Sequence, residues 1–151
     1  MKVKDIMTKE VVTIKEDDTV KDAARILNDM NLSGLPVVDE DNKIKGIITD
    51  GDLLRRVSTI NGPSYVQLLG GGFPLESKKD FLERLNKSIG YLVKEMMTKD
   101  VIIISENAGI EEAATLMVSK KIKRIPVADD KKKLIGIISR KDIMKHLFDS
   151  Y

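Results

Sequence analysis

Gly46-Ile47-Ile48-Thr49-Asp50-Gly51-Asp52 recurs 90 residues later as Gly136-Ile137-Ile138-Ser139-Arg140-Lys141-Asp142. The same shift aligns the surroundings without a gap. Val3-Lys4-Asp5-Ile6-Met7-Thr8-Lys9 matches Val93-Lys94-Glu95-Met96-Met97-Thr98-Lys99, Ala23-Ala24 matches Ala113-Ala114, and Pro36-Val37 matches Pro126-Val127. Repetition at a fixed period outranks any local signal when architecture is read. The chain divides into residues 1–57 as a first repeat, 58–92 as an insert and 93–151 as a second repeat.

Working outward from the repeated stretch, each copy reads in one order. Val11–Ile14 is a short β-branched run, hence a strand. Thr19 with Asp22 three residues on reads as a capping pair. Val20, Ala23, Ala24, Leu27 and Met30 recur at helical spacing over Val20–Asn31. Leu35–Val38 is a second strand, whose proline suggests its first residues or a sheet edge. Asp39-Glu40-Asp41-Asn42 turns the chain into the strand Ile44–Thr49, and Asp50–Val57 is a second helix. The second copy repeats this as Val101–Ile104, Ile110–Lys121, Ile125–Ala128, Leu134–Ser139 and Arg140–Phe148. The fold class is therefore α/β (α+β): two β-α-β-β-α units with a helical insert between them. One such unit leaves a sheet face uncovered. Packing sheet to sheet with pseudo-twofold symmetry would bury it, at about 25 cal/mol per Å².

The insert carries loop signals at Ile60-Asn61-Gly62-Pro63 and Gly70-Gly71-Gly72-Phe73-Pro74. Phe81, Leu85, Ile89 and Leu92 are spaced for a helix over Lys79–Leu92. A connection this long is either a functional loop or a spacer.

Composition narrows the function. The chain has 151 residues, 42% hydrophobic and 33% charged, with a net charge of only +2 and 4% aromatics. The basic field and stacking platforms of a nucleic-acid binder are missing, so none is expected as a partner. There is no cysteine, which removes disulfides and thiolate chemistry. No apolar run reaches membrane length, and the first residues lack the apolar core of a signal peptide. The expected location is the cytoplasm, with no membrane partner.

Thr49-x-x-Asp52 and Ser139-x-x-Asp142 can be read in two ways. A hydroxyl followed three residues later by an acid, where a strand gives way to a helix, is a capping box. The same place offers a nucleotide what it needs: unpaired N–H groups for phosphate, a hydroxyl, and a carboxylate that accepts from a ribose diol. Gly46 and Gly136 allow close backbone approach, and apolar strand edges can wall a base. Both readings stand on these residues alone.

Weaker signals carry less. Asp50-Gly51-Asp52 lacks the further acids of a calcium loop. Gly70-Gly71-Gly72 lacks the Gly-Lys-Ser/Thr of a phosphate-binding loop. His146, the only histidine in the sequence, reads as a surface or interface residue rather than a catalyst. Lys131-Lys132-Lys133 reads as a solvated turn. Met30, Met96, Met97, Met117 and Met144 read as core fillers. No metal cluster or nucleophile–base pair suggests catalysis.

Taken together, the tandem Val-x-x-Ile/Met-Met-Thr, Leu/Ile-Pro-Val-x-Asp and Gly-Ile-Ile-Thr/Ser-x-x-Asp motifs resemble the cystathionine β-synthase (CBS) domain family. Two in tandem are similar to a Bateman module of the stand-alone bacterial or archaeal type. The resemblance covers nearly all of the chain outside Ser58–Leu92. It implies a non-catalytic regulatory module that binds AMP, ADP or ATP, with or without magnesium, and less commonly S-adenosylmethionine or NAD. It also implies a homodimer whose regulated protein is a separate chain, or alternatively an interaction module with vestigial clefts.

Residue by residue, the resemblance places ribose and phosphate on Thr49, Asp52, Ser139 and Asp142. It walls the cleft of Asp142 with Met7, Val12, Leu32, Ser33 and Gly34. It walls that of Asp52 with Met97, Ile102, Ile122, Lys123 and Arg124, the last where the regulatory subunit of AMP-activated kinase places a phosphate-contacting arginine. Gly34 opposite Arg124, and Asp50-Gly51 opposite Arg140-Lys141, suggest two unequal sites, one of which can be empty; Arg140 and Lys141 either favour phosphate beside Ser139 or, as first-turn residues, point only to solvent.

Overall fold

A computed structural model describes residues 1–58, 65–68, 71–74 and 91–148. In chain order the elements are α1 (Val3–Ile6), β1 (Ile14–Lys15), α2 (Val20–Asp29), β2 (Gly34–Val38), β3 (Ile44–Thr49), α3 (Asp50–Ser58), β4 (Tyr65–Leu68) and β5 (Gly71–Pro74). They continue as α4 (Val93–Met96), β6 (Ile104–Ser105), α5 (Ile110–Ser119), β7 (Arg124–Ala128), β8 (Leu134–Ser139) and α6 (Arg140–Phe148). The result is a mixed α+β fold with two three-stranded sheets, ordered β1-β2-β3 and β6-β7-β8. Among the described residues no helix is long and apolar enough to cross a membrane.

The chain forms two compact units, and each draws on both repeats. One consists of Met1–Lys15, Pro36–Ile47 and Thr98–Tyr151. In it, the lead-in of the first repeat is tied to the loop between β6 and α5, where Val3 N–H donates to Ala108 O at 2.9 Å and Lys4 N–H to Glu106 O at 3.0 Å. Thr8 then exchanges two 2.9 Å hydrogen bonds with Ile137 at the outer edge of β8. Val3, Ile104, Ala113, Met117, Ile125, Val127, Ile138 and Ile143 make the core, with Met7, Ile102 and Ile122 packed against it. Each fully buried valine, isoleucine or methionine of this core contributes about 1.5–3 kcal/mol by leaving water.

The other unit consists of Glu16–Leu35 and Ile48–Met97. It uses the same device with the roles exchanged. Val93 N–H donates to Asp18 O at 2.8 Å and Lys94 N–H to Glu16 O at 3.0 Å, and Lys94 Nζ pairs with Asp17 at 2.6 Å. Val20, Ala23, Leu27, Leu35, Ile48 and Val93 are buried.

Several expectations need correction. The first strands are not Val11–Ile14 and Val101–Ile104 but the two-residue β1 and β6, because the parallel partner ladder begins only at Ile14↔Val37 and Ile104↔Val127. β-branched composition marks a fit to a pleated surface, not the presence of a hydrogen-bonding neighbour. Pro36 and Pro126 lie in central strands rather than at edges. Ile137, opposite Pro126, spends its N–H and C=O on Thr8, so the proline nitrogen faces β6. Since β6 pairs only from Val127 onward, no ladder bond is lost.

Helices α2 and α5 stop at Asp29 and Ser119, short of Asn31 and Lys121, which adopt φ of 51° and 55°. Gly71 and Gly72 are not in a loop. They belong to β5, antiparallel to β4 with Gln67↔Gly72 and Leu68↔Gly71 in register. The single-turn helices α1 and α4 carry no periodicity that a sequence reading could detect. Of the helix expected over Lys79–Leu92, residues 79–90 lie outside the described residues, and Leu92 is the extended cap of α4. Met117 is buried as expected, but Met30 and Met144 are more than half exposed.

Candidate functional site

Both repeated junctions form capping boxes. At the second, Ser139 ends β8 and Asp142 lies in the first turn of α6. Asp142 Oδ2 accepts from Ser139 N–H at 2.7 Å and from Ser139 Oγ–H at 2.6 Å, and Asp142 N–H donates back to Ser139 Oγ at 3.3 Å. At the first, Asp52 Oδ2 accepts from Thr49 N–H at 2.8 Å and Thr49 Oγ1–H at 2.9 Å, with a 3.2 Å return bond. One carboxylate oxygen in each box is thereby saturated.

The second oxygens differ. Asp52 Oδ1 accepts from Arg55 Nη2 one turn further along α3. Asp142 Oδ1 has no partner among the described residues, and Asp142 is only half-buried. Arg55 was not among the candidates; its i, i+3 spacing from Asp52 was the available signal.

The surroundings of Ser139 come from several elements of one unit. Arg124 lies opposite it in the β7–β8 register. Met7, the last residue before the Thr8–Ile137 pairing, lays its thioether against Gly136: a Cβ built there would stand 2.5 Å from Met7 Sδ and 3.1 Å from Thr8 O. Lys123 O accepts from Arg140 N–H at 2.9 Å. The Arg140 guanidinium folds back onto the end of α5, donating to Ile122 O at 3.1 Å and Met117 O at 3.2 Å. Lys141 is exposed, and Val12 and Ile102 are half-buried in the stretches before β1 and β6.

In the other unit, Asp50 N–H donates to Ser33 O at 3.2 Å, the counterpart of the Arg140–Lys123 bond. Asp50 itself receives a 2.7 Å bond from Gly51 N–H. Leu32 is 37% exposed, whereas Gly34 is buried at the start of β2. Met97 caps the C-terminus of α4 and is half-buried.

Thus the structure brings Met7, Arg124, Lys123, Ile122 and Arg140 around the elements that carry Ser139 and Asp142, and Ser33 beside the Thr49–Asp52 junction. Chemically, the Ser139–Asp142 junction presents an unspent carboxylate oxygen at the positive end of a helix, and the Met7 thioether packs against Gly136 earlier on the same strand.

Comparison with known proteins agrees with the repeat. The CBS domain model matches residues 3–59 and 93–149. An uncharacterized protein of Methanocaldococcus jannaschii, MJ1426, is 35% identical over 156 residues, covering 97% of this chain and 91% of its own. The crystal structure of CBSX2 of Arabidopsis thaliana in complex with AMP superposes with a TM-score of 0.75 at 26% identity, covering 99% of this chain and 97% of that one. The CBS domain pair of protein MJ0100, in complex with 5′-methylthioadenosine and S-adenosyl-L-methionine, superposes with a TM-score of 0.72 at 26% identity, covering 100% and 98%. With two matched copies spanning most of its length, this chain belongs to the CBS domain family.

Proposed function

We propose that this protein is a regulatory module that binds adenosine-containing ligands at its strand–helix junctions and acts by binding rather than by catalysis. The observation that carries this reading is the division of labour within the Asp142 carboxylate. Oδ2 is spent on the cap, while Oδ1 keeps both lone pairs for a ribose diol. The N-terminus of α6 suits a phosphate, and Met7 beside Gly136 supplies an apolar surface for a base. Two relatives of the same fold hold adenosine ligands, AMP in one and 5′-methylthioadenosine with S-adenosyl-L-methionine in the other. Their shared chemistry is the adenosine, and AMP or ATP is the proposed ligand here.

Calorimetric titration with AMP, ATP, NAD and S-adenosylmethionine tests the reading. Saturable binding of one of them, without turnover when ATP is incubated with the protein, is expected. Failure of all four to bind leaves an interaction module whose carboxylates only cap helices.

A further inference from the structure

Resting on that reading, we infer that Arg55 is the residue that makes the two junctions unequal. It occupies the carboxylate oxygen of Asp52 that a ribose would need, so the Ser139–Asp142 junction is the tighter adenosine site.

A ribose diol brings two hydroxyl donors to one carboxylate. Asp52 Oδ2 is already saturated by Thr49 N–H and Oγ1–H, and Oδ1 accepts from Arg55. One lone pair remains where two are required. At the other junction the Oδ2 bonds are the same, and Oδ1 has no partner among the described residues, so both of its lone pairs are open.

The cause is one side chain at equivalent positions. Arg55 and Lys145 both stand three residues after the aspartate. The guanidinium reaches back along α3 and offers a planar fork of donors that suits a carboxylate. Among the described residues Lys145, exposed on α6, makes no such pair. Charge acts in the same direction: Arg55 sets a cation against Asp52, whereas among the described residues no cation is paired with Asp142.

Asp52 is nearly buried at 8% side-chain exposure, but Arg55 is 73% exposed. With most of its side chain already in solvent, the arginine acts as a displaceable competitor rather than a permanent plug. Ion pairs and charged hydrogen bonds of this kind set the expected competition at about three- to tenfold in affinity.

A reciprocal exchange tests the inference. The full chain and the variants Arg55→Lys, Lys145→Arg and the double exchange are titrated calorimetrically with AMP, while the amide NMR signals of Thr49 and Ser139 report which junction fills. Arg55→Lys should tighten the Thr49 junction by about three- to tenfold, and Lys145→Arg should weaken the Ser139 junction by a similar factor. The double exchange should reverse their order. A purely structural role for Arg55 predicts no such pair of opposite, site-resolved shifts.

Equal affinities in the wild-type protein, or a Thr49 junction that is unchanged or weakened by Arg55→Lys, overturns the inference while leaving adenosine binding intact. Absence of AMP binding in every variant overturns both the inference and the reading beneath it.

Discussion

Met7 lies so close to Gly136 that a single added methyl on the glycine would meet its sulfur at 2.5 Å. The thioether is flexible and can yield. Thr8 O, 3.1 Å from the same point, is backbone held by its pairing with Ile137 and cannot. Gly136→Ala should therefore destabilise the protein by about 1–3 kcal/mol, read from chemical denaturation. In a Met7→Ala background the same change should cost less, because the sulfur is gone and only the backbone contact remains. Equal costs in the two backgrounds would show that the two residues do not meet in solution.

The 90-residue repeat made most of the architecture legible, since one correct reading of a unit counts twice. The Thr19–Asp22 cap, the Asp39 turn and the two junctions were visible because each depends on residues three or four apart. What was hidden depends on distant partners. β1 and β6 are shorter than the Val11–Ile14 and Val101–Ile104 runs suggest because their neighbours set the ladder. Pro126 sits in a central strand because Thr8, far away in sequence, takes the hydrogen bonds of Ile137. At the candidate site, the sequence places Arg140 beside Ser139, but that its guanidinium also reaches the carbonyls of Met117 and Ile122 is something no local pattern discloses.

Two lysines of the second repeat occupy left-handed backbone. Lys121, just past α5, has φ of 55°, and Lys132, in the β7–β8 turn, has φ of 62°. The first repeat places Asn31 and Asn42 at the same positions, with φ of 51° and 61°. Asparagine tolerates this region better than a long unbranched side chain. Lys121→Asn and Lys132→Asn should each stabilise by about 0.5 kcal/mol, and Lys121→Gly by up to about 1 kcal/mol. Thermal melts check this; a fall in melting temperature for both Asn variants would contradict the strain argument.

Arg140 and Lys141 are neighbours in sequence with different work. Arg140 holds the end of α5 through Met117 O and Ile122 O, so Arg140→Ala should cost about 1–2 kcal/mol. Lys141 is exposed, and Lys141→Ala should change stability by less than about 0.5 kcal/mol. Denaturant midpoints separate the two. Equal, negligible costs would return Arg140 to the pool of solvated cations.

Stability should fall at both ends of the pH scale for identifiable reasons. Asp22 is held below its ordinary 3.8 chiefly by hydrogen bonds from Thr19. Asp39 is lowered likewise, chiefly by the Lys43 backbone N–H. A carboxylate depressed in the folded state stabilises above its unfolded pKa, and that contribution is lost as pH drops through the folded value. The acid loss should therefore begin below about pH 4 and become shallower in Asp22→Asn. Lys94 is raised above 10.5, chiefly by its hydrogen bond to Asp17. Its contribution is complete below 10.5 and disappears as pH rises through the higher folded value. Asp17→Asn should flatten that alkaline limb, and pH-dependent urea titrations of the two variants would reveal either slope unchanged if these pairs are irrelevant.

Asp142 performs two tasks that one substitution can separate. In Asp142→Asn the amide oxygen can still accept from Ser139 N–H, so the cap survives and stability should change by less than about 1 kcal/mol. The amide nitrogen then faces the ligand position and presents donors to ribose hydroxyls that need an acceptor. Losing hydrogen bonds to a charged group and leaving donors opposed costs about 1.5–3 kcal/mol, so adenosine-ligand affinity at this junction should fall about 10- to 100-fold. Ser139→Ala should show the opposite balance in stability, losing about 1 kcal/mol with the hydroxyl that closes the cap. The pair of variants is to be compared by thermal unfolding and by titration with AMP. An Asn variant that binds AMP as the parent does would mean that the open oxygen of Asp142 takes no part in holding the ligand, and that this carboxylate serves the helix alone.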